Sequence, residues 1–233
     1  MSEEYSNSIP KNSVVCDSSS LISLSDSCLL WIVSELSESF NGIFIIPKTV
    51  EYETITHSLE IKSHTLGAIR LKKLLLDGVI KVVETPNVGQ LTSELLYLGN
   101  NVFSMSGKPL KIIHEGETET LALAIESGLI NILIDERTTR MLIEAPLHLK
   151  AHMEEEFKKK IKLNEKKLNK FLSMTSRLNL FRSTELAIVG YEKGLFKDYG
   201  EFEKPAIEAA LYGLKLTGCG ISFSEIEEFS RSI

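Results

Sequence analysis

A chain of 233 residues with 43% hydrophobic and 25% charged side chains fits one elaborated domain and carries ample apolar material for a closed core. No run approaches the ~18 apolar residues of a membrane helix, and the opening Met-Ser-Glu-Glu lacks the basic and apolar regions of a signal peptide, so a cytoplasmic protein is expected. The net charge of −6 excludes a generally basic nucleic-acid binder, so any engagement with a polyanion has to rest on a local basic patch or on bound metal ions.

Residues 1–12 are polar and Ser-rich and predict a disordered lead-in. Ser13 to Cys16 reads as a short buried strand ending at Asp17, with Ser18 to Ser20 able to cap a helix that runs from Leu21 to the turn pair Asn41-Gly42. Residues 43–46 form a second buried strand closed by Pro47, and helical pattern resumes at Lys48 and again from Ile61 to Leu76. A third strand is expected at 79–83, a helix at 90–99, a strong helix at 116–127 stopped by Gly128, a fourth strand at 130–134 and a helix at 136–145. Lys150 to Lys170 is highly charged, with Glu154, Glu155 and Glu156 each four residues before a lysine, and reads as one projecting, solvated helix. Leu178 to Phe181 returns as a last strand, followed by helices at 184–193 and 205–214 and a short one after Ser222. Strands alternating with helices, each strand a continuous apolar run, predict an α/β fold with a parallel sheet covered on both faces.

Four acids stand at informative places. Asp17 and Asp135 directly follow the first and fourth strands, at the sheet edge where ligands of open parallel sheets bind. Glu53 lies one turn into the helix after strand two, and Glu117 in the first turn of its helix, with Glu136 beside Asp135. Carboxylates brought together repel one another unless a divalent cation sits among them, and Mg²⁺ and Mn²⁺ favour such oxygen donors. Acids at these positions also serve as helix caps or favour the helix macrodipole, and spacing alone does not choose between the two.

Val14-Val-Cys-Asp17-Ser-Ser-Ser-Leu-Ile-Ser-Leu24, Ile46-Pro-Lys-Thr-Val-Glu-Tyr-Glu53, Gly116-Glu117-Thr-Glu-Thr-Leu-Ala-Leu-Ala124 and Leu133-Ile-Asp135-Glu136-Arg137-Thr-Thr-Arg140 occur in the order in which PIN domain proteins carry their acids. The chain resembles that nuclease family, which includes the toxin ribonucleases of toxin–antitoxin pairs, and in particular a prokaryotic branch of largely unassigned function with extra C-terminal helices. The pattern Pro-x-x-Val-x-x-Glu selects Glu53 over Glu51, and Thr184 to Leu195 resembles the helix that follows the branch's last strand. There are departures. Ser20 stands where the branch often has Pro, Glu136 where it often has a second Asp, and the charged stretch 146–177 intervenes before the last strand.

The resemblance implies a three-layer PIN-like fold with four to five parallel strands: a catalytic core at 13–145, an inserted charged helical segment at 146–177, and a last strand with C-terminal helices at 178–233. It further implies Mg²⁺- or Mn²⁺-dependent phosphodiester hydrolysis, usually of RNA, by metal-activated water. Asp17, Glu53, Glu117 and Asp135 would be the catalytic acids, with Asp17, Glu117, Asp135 and Glu136 as metal ligands. Ser18, Ser19 and Arg137 would meet the substrate. A homodimer and an antitoxin protein are the further partners the family suggests, and RNA versus DNA and endonuclease versus exonuclease mode stay open. The alternative is a catalytically silent relative that binds RNA or a protein partner through the inserted segment.

Other residues speak more weakly. His148 and His152 are four apart without the Glu of a metalloprotease helix, and together with His114 they read as solvated. No Gly-x-Ser-x-Gly elbow, phosphate-binding loop or dinucleotide fingerprint is present. Cys16, Cys28 and Cys219 are odd in number and far apart, which predicts reduced, mostly buried thiols.

Overall fold

The computed structural model describes residues 9–233; of the predicted lead-in, residues 1–8 lie outside that range, while 9–12 form a bend and a turn that ends in a bond from the Ser13 N–H to the Pro10 carbonyl. The described strands are β1 (Val14–Cys16), β2 (Phe44–Ile46), β3 (Ile80–Val82), β4 (Phe103–Met105), β5 (Lys108–Pro109), β6 (Asn131–Leu133), β7 (Ile161–Leu163) and β8 (Asn179–Phe181). Five of them form a parallel sheet in the order β3-β2-β1-β6-β8, with Val15 opposite Ile45 on one side and Ile132 on the other.

Residues within a strand alternate between faces, and here both faces are buried. Val14, Cys16, Phe44, Ile46, Ile80 and Leu133 pack under α1 (Ser18–Asp26), α2 (Leu30–Ser39) and α4 (Thr65–Leu76), joined from the C-terminal part by α10 (Ser183–Glu192), α11 (Glu203–Leu216) and α12 (Phe223–Ser232). Val15, Ile45, Ile132 and Leu180 pack on the opposite side under α5 (Val88–Gly99) and α6 (Glu115–Ser127), with α7 (Arg137–Glu144), α8 (Pro146–Phe157) and α9 (Glu165–Thr175). The result is the expected three-layer α/β arrangement. The strands β1 and β2 have both faces sealed, which is why they show no polar alternation, whereas the edge strand β3 exposes Lys81.

Two elements differ from expectation. The helix predicted from Leu21 to Asn41 is two helices, α1 and α2, set at 114° to each other. The corner is a Schellman turn: the Leu29 N–H reaches the Leu24 carbonyl at 2.8 Å and the Cys28 N–H reaches Ser25 at 3.1 Å, with Cys28 at φ 58° where glycine is usual. Cys28 is consequently exposed, unlike Cys16 and Cys219, which are buried; all three thiols are free. The predicted projecting helix of 150–170 is also absent. α8 stops at Phe157, Lys158 turns the chain at φ 51°, and β7 pairs antiparallel with β4, which in turn pairs with β5. Glu154 does not meet Lys158; it accepts from the Ile161 N–H at 2.8 Å and from Lys150 at 3.0 Å. Leu149, Met153, Ile161, Leu168 and Phe171 are core residues, so this segment is part of the domain's second layer. No single helix among the described residues is long and apolar enough to cross a membrane.

Candidate active site

The central strand sets the position of Asp17. The Asp17 N–H extends the ladder to the Leu133 carbonyl at 2.9 Å, and the residue then turns with φ −87° and ψ 157° to cap α1. Its Oδ2 accepts from the Ser19 N–H at 3.1 Å and from the Ser19 hydroxyl at 2.6 Å. The other oxygen, Oδ1, is sealed from solvent and accepts from no donor among the described residues. Burial raises the Asp17 pKa to about 7; the Ser19 bonds oppose the rise and the charge of Glu117 adds to it.

Glu117 comes from the first turn of α6. Its Oε2 accepts from the His114 N–H at 3.2 Å and from the Thr139 hydroxyl at 2.7 Å. Burial raises its pKa as well; the Thr139 and His114 bonds work against this and the nearby Glu136 works with it.

Glu53 arrives by a less regular route. The short α3 (Lys48–Glu51) runs into a π turn at Tyr52–Thr56, a local widening that re-aims side chains and recurs at functional sites. Glu119 on α6 anchors the start of α3 by accepting from the Thr49 N–H at 3.2 Å. The Glu53 carboxylate then lies against Gly116, where an added Cβ would stand 3.1 Å from both of its oxygens. Glycine at 116 is what lets Glu53 approach the start of α6 one residue away from Glu117.

Asp135 is placed beside this group but its carboxylate is engaged elsewhere. The Asp135 N–H donates to the Ser19 hydroxyl at 3.2 Å, so one Ser19 oxygen links the Asp17 side chain to the Asp135 backbone. The Asp135 side chain turns to the start of α10, where Oδ1 accepts from the Ser183 N–H at 2.7 Å and Oδ2 from the Ser183 hydroxyl at 2.6 Å. Cys219 donates to Oδ1 at 3.4 Å. Burial, with the Asp135 charge beside it, pushes the Cys219 thiol up and keeps it protonated. Glu136 caps α7 by accepting from the Thr139 N–H at 2.6 Å. Thr139 thus bridges Glu117 and Glu136 much as Ser19 bridges Asp17 and Asp135.

The structure brings several of these acids near one another. The charge of Glu117 acts on Asp17, Glu53 packs at Gly116, and Glu136 joins Glu117 through Thr139. Asp135 stands apart from them: both of its oxygens accept from Ser183, and among the described residues no three His, Cys, Asp or Glu side chains stand grouped for a metal ion. The fit to a divalent cation rests on Asp17, whose buried, unbonded Oδ1 is the kind of hard oxygen donor that Mg²⁺ and Mn²⁺ take. Ser19 is a positioning group for Asp17, and Arg137 is exposed on α7 beside a cleft. His114, His148 and His152 are exposed.

Sequence reading missed Ser183, Cys219 and Thr139. Only Thr139 stood near a flagged acid. Ser183 opens Ser-Thr-Glu, an ordinary helix start, and nothing local marks it as the partner of a residue 48 positions earlier.

No curated protein matches this chain. A family model described as a PIN domain matches residues 13–151, a stretch that runs from β1 through α7 and holds Asp17, Glu53, Glu117 and Asp135. With more than half of its length matched and the three-layer parallel fold in place, the chain belongs to the PIN domain family.

Proposed function

We propose that this chain is a divalent-metal-dependent nuclease that hydrolyses phosphodiester bonds of RNA. The single observation that carries the reading is the state of Asp17: a buried carboxylate with one unbonded oxygen, lifted to a pKa of about 7 by burial with Glu117 adding to it. Such an arrangement is costly without a cation and is relieved by one. Membership of a family whose members are generally nucleases supports the same reading.

Asp17 and Glu117 would hold the ion, Mg²⁺ or Mn²⁺, with Glu136 able to extend the set through Thr139. When bound, it supplies positive charge to the phosphate and acidifies water at the site. The chain's own side chains do the rest. Ser19 holds Asp17 in one rotamer through its 2.6 Å bond, and Thr139 does the same for Glu117 at 2.7 Å. Glu53, free of a hydrogen bond that would fix it elsewhere among the described residues, accepts a proton or orients a water at the mouth of α6. No side-chain nucleophile is needed.

The test is cleavage of a mixed pool of labelled RNA and DNA oligonucleotides with Mn²⁺ added. The parent is expected to cut RNA, and Asp17→Asn to lose roughly a hundredfold or more in rate, the scale on which removing one group from such a site acts. Equal rates for the two proteins would sink the assignment. A second reading draws on the Asp135 geometry. With that carboxylate committed to Ser183, a silent PIN protein that binds RNA or a protein without cutting is the alternative; its signature is RNA binding with no Mn²⁺-dependent cleavage and no Mn²⁺-dependent rise in Tm.

A further inference from the structure

The C-terminal helices add a second wall to a cleft next to Asp135. Arg137 and Arg140 of α7 line one side; Arg182, Lys215 near the end of α11 and the turn at 218–222 line the other, enclosing about 590 Å³. The cleft abuts the acid edge directly. Cys219, one of its lining residues, donates to Asp135, and a Cβ added at Gly220 would lie 3.3 Å from the Asp135 carbonyl oxygen and 3.5 Å from the Arg137 Cβ.

Its charge is unlike that of the whole molecule. Four cationic side chains face two carboxylates, Glu144 and Glu225, in a chain of net charge −6. Arg182 is occupied by Glu185 and Glu225, each at 3.0 Å, which keep it charged although burial opposes this. Arg140 reaches Glu144 at 3.6 Å, while its Nε is buried with no acceptor among the described residues. Among the described residues Arg137 and Lys215 enter no ion pair, and Lys215 lies 5.3 Å above the Phe223 ring. This is the local basic patch that an acidic protein needs in order to hold a polyanion.

We propose that the cleft seats a backbone phosphate of single-stranded RNA, beside the phosphate that is cut, with Arg137, Arg140 and Lys215 as its donors. The proposal rests on the nuclease reading for its ligand. Its cationic wall at Arg182 and Lys215 comes from outside the matched residues 13–151, so it is a property of this chain's C-terminal extension.

The experiment measures anisotropy of a fluorescent 12-nucleotide RNA with 5′-hydroxyl ends on the Asp17→Asn chain, so that nothing is cut during titration. Adding Arg137→Ala with Lys215→Ala is expected to weaken binding at least tenfold and to flatten the salt dependence by about 0.7 in log–log slope, the contribution of one phosphate contact on a single strand. Arg137→Lys with Lys215→Arg, which keeps both charges, should bind within about threefold of the parent. An alanine pair with unchanged affinity and slope overturns the proposal, as does a parent that binds no RNA. A separate arm on the native Asp17 chain follows Mn²⁺-dependent cleavage, where the alanine pair should raise KM at least tenfold and an unchanged KM counts against the cleft. Binding that depends on the two cations, in a chain that cuts nothing, would leave the cleft standing and remove the nuclease.

Discussion

A carboxyl group with one oxygen bonded to Ser19 and the other shut away from water holds its charge against the fold. Because the folded pKa of Asp17, about 7, lies above its ordinary value of 3.8, the folded chain binds the proton more tightly than the unfolded one. The associated stability is fully present below pH ~4 and is lost as pH rises through about 7, a cost on the order of 4 kcal/mol once the group is fully ionised. Asp17→Asn removes that cost. In metal-free solution at pH 8 the variant should therefore melt above the parent, by roughly 10 °C for a chain of this size, and close to it at pH 4. Thermal scans at the two pH values decide it; melting points that stay together at pH 8 would show that Asp17 is not strained by its charge. Asp17 and Glu117 were legible because each acid directly meets an element boundary read from apolar periodicity. The commitment of Asp135 was not, because Ser183 approaches it through the tertiary fold and no periodicity reports that.

Element boundaries were legible where glycine or proline marks them, as at Pro47, Gly78 and Gly128, and were lost where another residue takes a left-handed turn. Cys28 at φ 58° ends α1 and Lys158 at φ 51° ends α8, and neither residue type signals such a corner. The charged stretch misled for a related reason. Its Glu-to-Lys spacing satisfies a helical surface, yet five of its apolar residues, Leu149, Met153, Ile161, Leu168 and Phe171, are buried in the layer under the sheet. Phe171 is 0% exposed, so Phe171→Ala should cost about 3–5 kcal/mol in urea unfolding, where a residue on a projecting, solvated helix would cost within about 0.5. A loss below 1 kcal/mol would mean that this segment does not pack as described. The π turn at Tyr52–Thr56 was equally hidden, since the pattern that selected Glu53 is compatible with an unbroken α-helix.

At the scale of the molecule, the two-faced sheet was readable from its apolar central strands, while the antiparallel pairing of β4 with β5 and β7 was not, because strands of two or three residues of mixed polarity carry too little pattern to announce themselves. The sheet also ties distant parts of the chain together. β8 is the edge strand beside β6, with Leu180 against Ile132, and it arrives only after residue 178. A chain ended at 177 lacks β8, the Ser183 donors to Asp135, and the helices α10 to α12 that cover one face of the sheet. Such a truncation should not give a stable monomer: size-exclusion chromatography is expected to show aggregate, and a monodisperse, cooperatively melting fragment would contradict this.

The bond between Asp135 and Ser183 carries a further consequence for how this family's unit should be delimited. The matched residues end at 151, whereas the last strand of the sheet and the donors to Asp135 come from 179–183. A tail grafted from another protein in place of residues 178–233 would therefore have to bring a hydroxyl and a backbone N–H to the same spot to keep that carboxylate bonded.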